Sequence, residues 1–119
     1  MRVLVVDDNP LFVDMVVALL SREDRIAVVG KALDGLEAVD LAARLSPDVI
    51  LMDISMPVLD GIEATRRIRR QDPQACVLIL TGSNVAAEID RSRQAGAAGY
   101  LTKDRVGSQL VETILRIAQ

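Results

Sequence analysis

Apolar and polar positions in this chain fall into two alternating kinds of block. Short, nearly continuous apolar runs at residues 3–6, 26–29, 49–53, 75–80 and 99–101 read as strands buried on both faces. Between them, apolar residues return at three- and four-residue spacing, as in Phe12, Met15, Val16, Leu19 and Leu20, and predict amphipathic helices. The boundaries carry matching chemistry. Asn9-Pro10 offers an N-cap followed by proline at the first helical position, and Asp34 with Glu37 has capping-box spacing. Ser46-Pro47 and Asp72-Pro73 stop the second and third helices, predicted to end near Leu45 and Arg70. The turn Asp60-Gly61 opens the third helix at Ile62, and Gly96 closes a fourth that begins near Val85. A fifth starts near Asp104 and turns Val106, Leu110, Ile114 and Ile117 inward. Lys31 suits the end of an edge strand.

Five strands alternating with five helices over 119 residues predict one domain, residues 1–119, of the α/β class. Right-handed crossovers and short loops favour a doubly wound, flavodoxin-like (βα)5 fold, with a parallel sheet in the order 2-1-3-4-5 and helices on both faces.

Composition narrows the chemistry. Seventeen acidic against fourteen basic residues leave a net charge of −3, which does not fit a free-standing nucleic-acid binder. Aromatic content of 2% removes a base-stacking platform. The chain has no histidine, so histidine-based triads, histidine metal sites and a phosphohistidine of its own are excluded. The single cysteine, Cys76, lies in an apolar run and reads as a small core residue. It has no partner for an internal disulfide, which fits a cytoplasmic protein. No apolar run approaches the about 18 residues of a membrane span, and no signal peptide is visible, so no membrane association is expected.

The candidate site follows from how the strands end. Asp53 closes a strand whose pattern gives no reason for a carboxylate. The first strand ends on Asp7-Asp8, the fourth on Thr81 and the fifth on Lys103. In an open parallel sheet these ends share one edge, where ligands bind. Three converging carboxylates repel and call for a proton or a cation, and oxygen-only donors suit Mg²⁺. Thr81 and Lys103 supply a hydroxyl and a positive charge for a phosphoryl group, and a central carboxylate such as Asp53 can be the nucleophile that accepts it. The arginines of the third helix, Arg66, Arg67, Arg69 and Arg70, read as a solvated face, and Gly82 either as a place where the loop backbone approaches a phosphoryl group or as an ordinary turn glycine.

Val5-Val-Asp7-Asp8, Met52-Asp53-Ile-Ser-Met-Pro57 with Asp60-Gly61, Leu80-Thr81-Gly82 and Gly99-Tyr-Leu-Thr-Lys103 together resemble the receiver domain of bacterial two-component response regulators over the whole chain. The final motif resembles the subgroup whose receivers precede a LuxR-type helix-turn-helix domain. The resemblance implies phosphoryl transfer from a histidine kinase to Asp53. It implies Mg²⁺ held directly by Asp8, Asp53 and the backbone carbonyl of Ser55, with Asp7 acting through water. It further implies that Thr81 and Lys103 grip the phosphoryl oxygens and that Tyr100 is the moving aromatic of a switch. Ser55 and Ser83 are expected to set the dephosphorylation rate. Any DNA-binding output domain lies beyond the chain, and a homodimer through the receiver is a further expectation. One departure is Asp104, where many receivers carry proline after the lysine in a cis bond; that peptide is therefore in doubt. Two rival readings are a Mg²⁺-dependent aspartyl phosphatase and a pseudo-receiver that binds without phosphorylation. The first would need a substrate pocket, a cap and commonly an acid two residues past the nucleophile, where Ser55 stands. The complete acid set argues against the second.

Overall fold

The computed structural model describes residues 1–82 and 85–118. Strands β1 (Arg2–Val6), β2 (Ala27–Ala32), β3 (Val49–Asp53), β4 (Val77–Thr81) and β5 (Gly99–Thr102) alternate with helices α1 (Pro10–Leu20), α2 (Gly35–Leu45), α3 (Gly61–Gln71), α4 (Ala86–Ala95) and α5 (Val106–Ile117). All pairings are parallel, in the order β2-β1-β3-β4-β5, so β1 and β3 are neighbours across the point where the winding reverses. This is the sheet expected from the sequence. The peptide bonds described are all trans, that between Lys103 and Asp104 included.

Side-chain alternation divides the core in two. Val3, Val5, Val49, Leu51, Leu78, Leu80 and Leu101 point to the face covered by α1 and α5, where Val13, Val16, Leu20, Val106, Leu110 and Ile114 meet them. Leu4, Val6, Ile50, Met52, Val77 and Ile79 point to the other face, against Ala38, Ile62, Ala64, Ile68 and Ala95 of α2, α3 and α4. Ile117 is partly buried against the α1/α5 side. Cys76 is half-buried there rather than fully enclosed, with Sγ 3.8 Å from the Ile117 carbonyl oxygen, and burial pushes its thiol pKa up.

The caps explain most boundaries. Asn9 Oδ1 accepts from Leu11 N and Phe12 N, Asp34 Oδ1 from Glu37 N, and Asp60 Oδ1 from Glu63 N. Several ends differ from the periodicity. β2 runs on through Gly30 and Lys31 to Ala32 because it keeps pairing with β1 after a register shift at Val3/Leu4. β4 starts at Val77, two residues later than expected, because Ala75 N closes a turn onto the Asp72 carbonyl. α5 is preceded by a short 3₁₀ turn, Lys103–Arg105. Arg69 is not a solvated charge: it donates to the carbonyls of Pro73 and Ala75 (2.9 Å for the latter), tying α3 to the turn before β4. Arg66 and Arg67 pair with Glu63 on the helix surface.

Candidate functional site

The ends of three strands build the centre of the site. Val49 and Leu51 lead by alternation to Asp53 at the end of β3. Asp7 directly follows β1 and Lys103 directly follows β5, its ammonium lying over Phe12 of α1, so the three meet at one sheet edge. Lys103 Nζ lies 2.7 Å from Asp7 Oδ2 and 3.4 Å from Asp53 Oδ1. One carboxylate oxygen from each of Asp7, Asp8 and Asp53 falls within 4.8 Å of the others, which makes the set able to hold a metal ion.

The three acids are not equivalent. Asp7 is buried and accepts at both oxygens, Oδ1 from Asn9 N at 2.9 Å and Oδ2 from Lys103. Asp8 is exposed. Asp53 is buried, and its two described contacts, Ile54 N at 2.9 Å and the lysine, both fall on Oδ1. Burial is the main cause that raises the Asp53 pKa from 3.8 to about 6, with the Asp7 charge adding to it and Lys103 working against it. Burial pulls the Lys103 pKa down, but the hydrogen bond to Asp7 and the charges of Asp53 and Asp7 outweigh it, so the net shift is upward. Three carboxylates against one ammonium leave an excess of negative charge, and oxygen donors without nitrogen or sulfur match a hard divalent cation such as Mg²⁺.

Glycine brings the next segment against the end of β3. A Cβ on Gly61 would stand 1.8 Å from the Asp53 carbonyl oxygen, and Gly61 N donates to the Ile54 carbonyl at 2.8 Å. Between them the chain turns tightly at Val58 (φ 69°), with Leu59 N donating to the Pro57 carbonyl at 2.7 Å. Ser55 is exposed in this loop, beside a groove that also takes in Met56, Asp60, Glu88 and Arg91.

Thr81 is buried at the end of β4, but its alternation follows Val77 and Ile79, which places it on the α4 side of the sheet. Thr81 pairs with Thr102, and Ile79 with Tyr100, so Tyr100 lies diagonally from Thr81 on that same side. Tyr100 is 40% exposed and borders a cavity of about 260 Å³ under α4, lined with Ile89, Ser92 and Arg93. Among the described residues, a Cβ on Gly82 would meet no atom within 4 Å. Ser83 lies outside the described residues. One neighbour escaped the sequence reading. The ring of Phe12, counted there as an ordinary helix-face residue, lies under Lys103 with Nζ 4.4 Å from its centroid. No periodicity connects positions so far apart in the chain.

The model of the response regulator receiver domain matches residues 3–115. The chain belongs to that family. Among curated relatives of this receiver domain, the response regulator GacA of Pseudomonas viridiflava is 42% identical over 113 residues, covering 95% of the chain and 53% of GacA. Two solved structures are similar throughout. The response regulator domain of Thermotoga maritima CheB has a TM-score of 0.93 at 35% identity, covering 99% of this chain and 96% of that one. A LuxR-family two-component response regulator from Aurantimonas sp. has a TM-score of 0.94 at 38% identity, covering 98% of this chain and 84% of that one. The receiver spans about half the length of the curated relatives it matches. Among its described residues, no helix is long and apolar enough to cross a membrane.

Proposed function

We propose that this receiver is a switch set by phosphorylation of Asp53. The observation that carries the reading is the convergence of Asp7, Asp8 and Asp53 around one point, with Lys103 bridging two of them. One oxygen of the Asp53 carboxylate is the nucleophile. It forms an O–P bond as the P–N bond to the imidazole of a histidine kinase breaks, and the departing imidazole takes up a proton. Asp8, Asp53 and the Ser55 carbonyl would hold Mg²⁺, with Asp7 acting through water. The ion supplies charge neutralisation between carboxylates and phosphoryl oxygens. Lys103 then turns from Asp53 Oδ1 to a phosphoryl oxygen, and Thr81 donates its hydroxyl to another. Ser55 and Ser83 tune hydrolysis of the phosphoryl group. No turnover of an independent substrate is part of this chemistry.

The output runs through the other face of the sheet. Thr81 reaches the phosphoryl group by moving toward it, and Tyr100, diagonal to it on the α4 side, takes up the space left behind. Only Ser92 and Ala95 of α4 are buried, so this helix repacks readily. Residues 1–119 form the receiver. The doubled length of its relatives and its likeness to a LuxR-family regulator favour a DNA-binding output domain beyond it, controlled by the α4-β5-α5 surface through release or through receiver dimerisation.

The test is labelling with acetyl phosphate and Mg²⁺. One base-labile phosphoryl group per chain is expected, absent in Asp53→Asn. Continuous turnover of phosphate esters would favour the phosphatase reading instead, and a chain that takes no label would be a pseudo-receiver.

A further inference from the structure

The Lys103 ammonium is held from three directions: Asp7 Oδ2 at 2.7 Å, Asp53 Oδ1 at 3.4 Å and the face of the Phe12 ring at 4.4 Å. Two of these are charges that the proposed reaction changes, because Asp53 becomes an acyl phosphate and Asp7 would share a cation. The ring is the one contact of the three that stays the same before and after transfer. It is also well placed to be rigid. The Phe12 backbone N–H donates to the Asn9 cap, and Asn9 N in turn donates to Asp7, so one short hydrogen-bonded segment holds both the Phe12 backbone and the first carboxylate. The lysine side chain is still 26% exposed and leaves its strand through a 3₁₀ turn, so without a surface beneath it the ammonium is free to swing toward water.

We infer that Phe12 is a positioning residue for phosphoryl transfer, holding the Lys103 ammonium over the acceptor by a cation–π contact. The ring attracts the charge without accepting a directed hydrogen bond, so the N–H groups remain aimed at the carboxylates and then at the incoming phosphoryl oxygens. This inference rests on the reading of Asp53 as acceptor.

The test is a mutant cycle. Initial rates of Asp53 labelling by limiting acetyl phosphate with Mg²⁺ are compared for wild type, Phe12→Leu, Phe12→Tyr and Lys103→Ala, and for Phe12→Leu combined with Lys103→Ala. Phe12→Leu keeps apolar bulk but removes the π face, and its rate should fall about three- to tenfold. Phe12→Tyr should recover the wild-type rate to within about twofold. In the Lys103→Ala background Phe12→Leu should cause no further loss, whereas a packing role would slow both backgrounds alike. A Phe12→Leu rate equal to wild type, an equal loss without the lysine, or no recovery in Phe12→Tyr would overturn the inference. A second measurement needs no phosphorylation. In metal-free protein the Lys103 ε-methylene protons should be shifted upfield by the ring in wild type and Phe12→Tyr and return toward ordinary values in Phe12→Leu. If wild type takes no label, the acceptor reading fails. The inference then stands or falls on the shift: its loss in Phe12→Leu supports the placement, and its persistence there overturns it.

Discussion

The Cβ that Gly61 lacks would stand 1.8 Å from the backbone carbonyl oxygen of Asp53, so the first residue of α3 is seated directly on the end of the strand that carries the central acid. The obstacle is main chain, which cannot rotate away as a flexible side-chain tip can. The loop from Ile54 to Asp60 is thereby closed at both ends.

Gly61→Ala should therefore destabilise the fold by about 1–3 kcal/mol or more and slow labelling of Asp53, because relief requires the end of β3 to move. Gly107→Ala is the contrast: a Cβ there meets nothing within 4 Å in α5, and a gain of about 0.4–1 kcal/mol is expected. Denaturant midpoints of the two variants should shift in opposite directions. Equal shifts would show that close approach is not what Gly61 provides.

The raised Asp53 pKa has a consequence for stability. Between the ordinary value of 3.8 and about 6 the folded protein still holds a proton that the unfolded chain has released. Stability from this group thus falls as pH rises through that window, and the loss is complete above it. In metal-free buffer at pH 7.5, Asp53→Asn should be more stable than wild type by about 1–2 kcal/mol, allowing for the lost lysine contact. Below about pH 4 the advantage should vanish. Urea titrations at both pH values with a chelator present check this, and a difference independent of pH would refute it.

Asp8 is the exposed acid of the three, so removing it should separate binding from folding. Asp8→Ala should abolish Mg²⁺ binding by calorimetry while changing stability by less than about 0.5 kcal/mol. Unchanged Mg²⁺ affinity would remove Asp8 from the site.

Val58 is a β-branched residue at φ 69° and is 76% exposed, so its strained backbone is not compensated by burial. Val58→Asn should raise stability by about 0.5–1 kcal/mol, as asparagine tolerates this region better. A drop in melting temperature would mean that the side chain makes contacts outweighing the strain.

Tyr100 is the sole tyrosine, which makes its ring resonances a direct report on the proposed switch. Adding beryllofluoride with Mg²⁺ should shift them in wild type and leave them unmoved in Thr81→Ala. If the ring and the oligomeric state both stay the same while Asp53 is fully modified, signal leaves the domain by another route.

The amino-acid sequence by itself determined the order of elements, the sheet and the residues that lie at or just past the ends of β1, β3, β4 and β5. Runs such as Val49 to Met52 and caps such as Asn9-Pro10 and Asp60 act through contacts within a few residues, and the parallel winding follows from their alternation. Convergence of Asp7, Asp53 and Lys103 was legible for the same reason, since the carboxyl ends of parallel strands share one edge. Contacts between distant segments were not legible. The tertiary structure alone decided that Phe12 would lie under Lys103, that Arg69 would bind the turn before β4, and that Gly61 would be pressed against Asp53. It also placed Thr81 and Tyr100 diagonally on the face opposite the acids. Local periodicity states which way a side chain points from its own element, but strand register and the seating of each helix on the sheet determine what it meets there.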